Sequence, residues 1–524
     1  MTLTAAAAVQ QVLLAIGLGG WLPGWQPWPY LLAAAPAWLI ARPYWPRVLG
    51  SWPFWSKSVD LLRRVPVWAF AAAVLALATG VWAALQDDEP DAGWGVYRPI
   101  GLPALGRIAL ALHGDVGALR ATTLVLALFT LSVTYLAASH WTTPRQAVVT
   151  MLLLLSGLGF LRRVPEFLND IGSTGLLLIV VLLLIRAQEK AGSRALLIVP
   201  FVILAAFYLR YGVVGNLLAI AVAAVLVYGP RAWLVHRWHL IVAGATLFAG
   251  LVPHFLYAIH VTGSPLGVIL YATEQAERDF IGDGLVYYLA IFPYRLAGDL
   301  GAVVMTAGLV VTWLALRRIR RARDELRGTP MRDNRRRAFL GTASLFIFVV
   351  LGIATDGEPR FVYLPVILLT TLGVQYIAEM TTHWAPQALL AIASLAGITI
   401  FGTTQVVAHG AMPGPTGLSH STVPVARQLS SKGPCLLVTG YEPEVGWYSG
   451  CNAVTYTQYG QMTPPRNTKI SFILFERGRL QPDAAGLQRL IGSQPHTSRT
   501  IQTDGPLGTS TVITLTPKVP RAPQ

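Results

Sequence analysis

Charge is what this sequence has least of. Only 12% of its 524 residues are Asp, Glu, Lys or Arg, about half the ~25% usual in a soluble globular chain. That shortage excludes a solvated enzyme, a disordered chain, and a collagen or coiled-coil fibre. Cysteine is nearly missing: Cys435 and Cys451 are the only two, and no metal-ligand spacing surrounds them, which argues against a zinc site. Lysine is also scarce, five against 35 arginines, a bias that fits a GC-rich bacterial genome better than a chemical need. No Walker loop, G-x-S-x-G elbow, H-E-x-x-H helix or dinucleotide fingerprint occurs, so nothing supports nucleotide-driven transport. The N-terminus has neither a charged n-region nor an A-x-A cleavage site, and its first apolar run reads as a retained helix.

What the chain has in abundance is apolar sequence. Hydrophobic residues make up 54% and mean hydropathy is +0.54. Apolar runs lie at 4–20, 29–42, 67–86, 119–138, 146–161, 172–186, 194–209, 212–228, 239–259, 298–316, 338–354, 361–379 and 385–402. Most are long enough to cross about 30 Å of hydrocarbon; the second and fifth are short enough to be re-entrant or tilted. The sequence therefore predicts an all-α polytopic membrane protein with about 13 transmembrane helices.

Orientation follows from the charges. With the N-terminus cytoplasmic, the inside segments hold 21 basic and six acidic residues, and the outside loops eight basic and 14 acidic. Inverting the chain would put Arg317, Arg318, Arg320, Arg321 and Arg323 outside, against the positive-inside bias. The same distribution explains the net charge of +15 as cytoplasmic anchoring and anionic-lipid contact, not nucleic-acid binding. A bacterial plasma (inner) membrane is the expected location. An odd number of crossings leaves 403–524 extracytoplasmic. This tail is polar, with turn signals at Pro413–Pro415 and Pro464–Pro465. Its β-like runs at 435–439, 470–475 and 511–515 flank a helical stretch at 483–491, the pattern of a small α/β domain. In an oxidising compartment Cys435 and Cys451 should form a disulfide worth about 3 kcal/mol. The expected organisation is 1–66, a pair of transmembrane helices with a cytoplasmic loop; 67–402, the main transmembrane domain; and 403–524, the outer α/β domain.

Ionisable groups near a membrane face are expensive and point to function. Asp87, Asp88, Glu89 and Asp91 follow the third span directly, with Trp94 and Tyr97 close behind. So many carboxylates cannot all ionise cheaply, which suits a general base; the run is equally able to bind a divalent cation or to be a solvated loop. A second outer loop carries Arg162, Arg163, Glu166 and Asp170. Forked guanidinium groups there suit a phosphate or carboxylate clamp, or an internal salt bridge between two spans. Arg210 and Arg360 stand at further outer helix ends beside Tyr211 and Tyr363, placed to meet lipid phosphates or to snorkel. The loop 261–299 mixes tyrosines with acids, as a sugar site or an interfacial helix would. His254 and His260 read as structural.

These residues together resemble a known family. The series Asp87–Asp88–Glu89, Pro103, Gly114–Asp115 and Arg120 is similar to the first outer loop of GT-C glycosyltransferases, in the protein mannosyltransferase and aminoarabinose transferase branch. Arg162, Arg163 and Asp170 match that branch's second loop, and Arg360-x-x-Tyr363-x-Pro365 resembles its entry to a late span. The resemblance covers roughly 67–402. It departs in having two spans before the acidic loop and Asp-Asp-Glu-Pro-Asp in place of a lone acidic pair.

The resemblance implies a sugar moved with inversion from a polyprenyl phosphate to an acceptor hydroxyl of a glycan, lipid or protein on the outer face. Asp88, then Asp87, is the implied base, with Glu89 and Asp170 beside it. Arg163, Arg162, Arg210 and Arg360 would hold the donor phosphate, and Glu166, Tyr211, Tyr97 and Tyr363 are the adjoining substrate contacts. No cofactor is expected; that branch usually works without a metal. Two other readings compete: a transporter or flippase of a lipid-linked or anionic solute, and a scaffold whose outer domain binds a partner. Neither internal repeats nor mid-span charges support the transporter, and the scaffold leaves the acidic loop unexplained.

Overall fold

The computed structural model describes residues 66, 68–69, 71–76, 99–157, 160, 164, 167–190, 193–274, 280–291, 294–321, 329–355, 357–380, 393, 418–431, 433–463, 467–478 and 480–515. They form two compact units. One is helical and runs to residue 393, leaving aside Asp115–Gly117; the other begins at 418.

The helical unit comprises α1 (Gly101–Leu112), α2 (Val116–Trp141), α3 (Pro144–Ser156), α4 (Asp170–Glu189), α5 (Ala195–Leu209), α6 (Val213–Tyr228), α7 (Pro230–Leu234), α8 (Arg237–Thr262), α9 (Gly267–Glu274), α10 (Asp283–Ile291), α11 (Tyr294–Arg321), α12 (Thr329–Ala354) and α13 (Tyr363–Met380), which a 3-10 turn at Pro359–Val362 precedes. Nine of the 13 apolar runs fall on these helices. Runs 4–20, 29–42 and 385–402, and most of 67–86, lie outside the described residues. By length and composition alone, five helices among the described residues can cross a membrane: Val116–Trp141, Asp170–Glu189, Arg237–Thr262, Met331–Ala354 and Pro359–Met380.

The run predicted at 146–161 ends early. Ser156 folds its hydroxyl onto the Leu153 carbonyl at 2.8 Å, and the Gly157 N–H takes the Leu154 carbonyl at 3.1 Å, a tightened turn that closes α3. Its 13 residues reach about 20 Å, less than the hydrocarbon thickness.

Position in the unit differs sharply between helices. The apolar window of the Pro359–Met380 span is 72% buried and that of Arg237–Thr262 only 6%, so the first is central and the second peripheral. The central helix packs on α11 backbone to backbone: a Cβ at Gly373 would lie 1.8 Å from the Val304 carbonyl oxygen, and one at Gly308 would lie 2.3 Å from that of Leu369.

Ionic groups separate to the two ends. At one, Arg336 bridges Glu189 at 3.0 Å and Asp333 at 2.7 Å, and Arg337 pairs with Glu379. The other carries the start of α4, the end of α5 and the turn before α13.

The second unit is α/β. Its strands β1 (Cys435–Val438), β2 (Asn452–Val454), β3 (Lys469–Phe475), β4 (His496–Ile501) and β5 (Ser510–Leu515) form one sheet in the order β2-β1-β3-β5-β4. β1 runs parallel to β2 and β3; β5 is antiparallel to β3 and β4. Alternate side chains leave the sheet on opposite faces. Leu437, Ile473, Phe475 and Val512 build one core, and Leu436, Val438, Phe472 and Ile513 the other. Helices α14 (Ser419–Leu429), α15 (Glu442–Ser449), α16 (Tyr456–Gln461) and α17 (Ala484–Ile491) complete the unit. Asp483 caps α17 by accepting from the Gly486 N–H at 2.7 Å. The expected disulfide is present: the β1–β2 register puts Cys435 beside Cys451, with Cα atoms 5.1 Å apart.

Candidate active site

The site is built on backbone junctions at one end of the helical unit. Asp170 is the first residue of α4 and is buried, where a carboxylate complements the positive end of the helix dipole. The preceding residue, Asn169, donates its side-chain amide to the Leu209 carbonyl at 2.8 Å, tying the start of α4 to the end of α5. Thr130 on α2 donates to the Ile171 carbonyl at 2.7 Å. These bonds fix α4's first turn against two neighbouring helices.

Arg210 caps α5 in an extended conformation. Its guanidinium makes an ion pair with Asp170, and its Cζ sits 4.6 Å from the centre of the Phe361 ring. Arg360 approaches the same ring at 5.4 Å and pairs with Glu358. The two guanidinium carbons are therefore no farther apart than those distances combined. Each guanidinium carries five N–H donors, so its one carboxylate partner among the described residues leaves donors for an incoming anion. Both ring distances lie within cation–π range, which holds the two positive groups in place while they are close.

Tyr211 is buried against Phe207 at 5.1 Å and His254 at 5.0 Å, measured between ring centres. His254 is only 3% exposed, and its Nε2 has no hydrogen-bond partner among the described residues. Pro253 lies inside α8 beside it, and Tyr208 donates to the Gly250 carbonyl of the preceding turn at 2.8 Å. Tyr363 lies deeper in the core, edge-on to Phe160 at 5.6 Å. Arg120, also buried, stands in the second turn of α2.

Of the residues singled out in the sequence, the structure thus brings Asp170, Arg210 and Arg360 to one cluster and places Tyr211 next to Arg210 in the chain. Asp87, Asp88, Glu89, Tyr97, Arg162, Arg163 and Glu166 lie outside the described residues. An internal salt bridge between two spans was one reading of Asp170 and its loop; among the described residues its partner is Arg210, 40 positions away. Sequence reasoning passed over Phe361, although an aromatic beside Arg360 was a visible signal, and gave His254 no link to Tyr211.

No family model matches the sequence, and no curated protein matches it. Solved structures do. The crystal structure of ArnT from Cupriavidus metallidurans bound to undecaprenyl phosphate superposes with a TM-score of 0.61 at 14% identity, over 87% of this chain and 99% of that one. The apo state of the same protein gives 0.61 at 15% identity, over 85% and 98%. The oligosaccharyltransferase AglB from Archaeoglobus fulgidus, in complex with an inhibitory peptide and a dolichol-phosphate, gives 0.46 at 11%, over 74% and 64%. The likeness read from the sequence holds in three dimensions: the fold is that of the GT-C membrane glycosyltransferases.

Proposed function

We propose that this protein is an inverting glycosyltransferase that moves a sugar from a polyprenyl phosphate to an acceptor hydroxyl at the extracytoplasmic face of the membrane. The observation that carries the reading is the pair of guanidinium groups, Arg210 and Arg360, gathered at the Phe361 ring with Asp170 paired to the first of them. It occurs at one end of an apolar helical unit whose fold is shared by ArnT, a protein solved with undecaprenyl phosphate bound.

In this reading the acceptor oxygen attacks the anomeric carbon, and a carboxylate of the loop after the third span, Asp88 first and Asp87 second, takes its proton. The bond from that carbon to the phosphate oxygen breaks, and the polyprenyl phosphate leaves with the electron pair. Charge grows on the phosphate as it departs, and fixed cations at that position stabilise it more than they stabilise the bound donor. Asp170 holds Arg210 in orientation. Arg162 and Arg163 extend the cationic group, and Tyr211, Tyr97, Glu166 and Tyr363 are assigned to the sugar and acceptor side.

The test is transfer by the purified full-length protein from synthetic polyprenyl-phosphate sugars to acceptors extracted from a bacterial envelope. We expect Asp88→Asn to lower kcat at least 100-fold, within the range for loss of a general base, with Asp87→Asn milder. Full transfer by both variants removes the loop from the chemistry. Wild-type protein that moves lipid-linked sugar across vesicles without transferring it is a flippase instead.

A further inference from the structure

Helix α10, in the loop between α8 and α11, has no place in the chemistry above, yet it is built tightly onto the turn that carries Arg360. Three glycines make this contact. A Cβ at Gly284 would meet the Thr355 carbonyl oxygen at 2.3 Å and the Gly357 nitrogen at 2.7 Å; one at Gly352 would lie 2.8 Å from the Leu285 nitrogen. Gly357 has φ +90°, a conformation that side chains with a Cβ rarely adopt, and its own Cβ would fall 2.7 Å from the Gly284 Cα. The first turn of α10 therefore meets the last turn of α12 at backbone distance. Beside this contact, Tyr288 donates its hydroxyl to the Glu358 carbonyl at 3.1 Å across 70 residues of sequence. Its ring is buried and edge-on to Phe348 at 5.7 Å. The Glu358 carbonyl also accepts the Phe361 N–H at 3.1 Å. One oxygen thus joins α10 to the start of the 3-10 turn holding Arg360 and Phe361.

We infer that α10 is a buttress for the donor-phosphate site, with Tyr288 as the positioning residue that sets Arg360 and Phe361 through the Glu358 carbonyl. The inference rests on the glycosyltransferase reading for its consequence but not for its geometry. A hydrogen bond to a turn's carbonyl limits how that turn opens, and the turn carries both a guanidinium and the ring shared with Arg210. Loosening it spreads the two cations and weakens their hold on a phosphate. Residues that would perform the chemistry are left untouched. Tyr288 is accordingly a determinant of donor affinity rather than of the chemical step.

The experiment uses the full-length protein with Tyr288→Phe, which keeps the ring against Phe348 and removes only the hydroxyl. Hydrogen–deuterium exchange of the peptide spanning 355–361 should speed up about five- to tenfold, the loss expected for one hydrogen bond. The donor KM should rise by a similar factor, with kcat within twofold of wild type. Gly284→Ala should produce the same signature more strongly, because its new methyl meets backbone. Unchanged exchange at 355–361 in Tyr288→Phe overturns the inference, and so does faster exchange with an unaltered donor KM. A fall in kcat at constant KM overturns it also. Wild-type protein without transfer defeats the glycosyltransferase reading instead, and the exchange measurement then decides the buttress alone.

Discussion

At the scale of single residues the Asp170–Arg210 pair is the most consequential contact. Both partners come from helix ends, and both are largely withdrawn from solvent, with side chains 5% and 15% exposed. Removing one member of such a pair leaves a buried charge uncompensated, which costs about 3 kcal/mol. Asp170→Asn should therefore lower the melting temperature in detergent by several degrees; a melt within one degree of wild type shows the pair to be dispensable for the fold. This contact was only half legible in the sequence. Asp170 announces itself as a charge opening an apolar run, and Arg210 as one closing another. Their pairing depends on the α4–α5 hairpin and on Asn169 reaching Leu209, neither of which leaves a mark in spacing.

At the scale of elements, nine of the 13 apolar runs coincide with described helices, because nothing but a helix satisfies the backbone across so many apolar residues. Small elements escaped. β4 reads His-Thr-Ser-Arg-Thr-Ile and is exposed in all but its last residue, so as an edge strand it shows no alternation to detect. α10 falls in the loop 261–299, for which an interfacial helix was one of two readings, offered without bounds. The close approach of α11 and α13 was equally silent, since Gly373 and Gly308 have meaning only once their neighbours are known. It makes a sharp prediction. Gly373→Leu must push the Val304 carbonyl aside and should cost about 3 kcal/mol by overpacking, read as a lower melting temperature. An unchanged melt means the two helices separate easily there.

At the scale of the whole molecule, charge distribution gave the sequence its orientation, and the helical unit gathers the groups read as cytoplasmic, Glu189, Arg336, Arg337 and Glu379, at the end opposite Asp170. Single cysteines introduced in 317–337 should resist an impermeant thiol reagent applied outside intact cells, and cysteines in 480–490 should react. Labelling of the first set reverses the topology. Helix α8 carries a different consequence. Its window is almost wholly unburied, yet the same helix supplies His254, whose ring touches Tyr211 beside the arginine cluster. A wall with so few neighbours takes its tilt from the surrounding acyl chains, and a mismatch of thickness shifts tilt at small cost. Turnover should accordingly follow the length and order of the host lipid, fastest where the hydrocarbon depth suits α8 and falling in thicker or thinner vesicles, so that the solvent of this protein acts on its rate from the side.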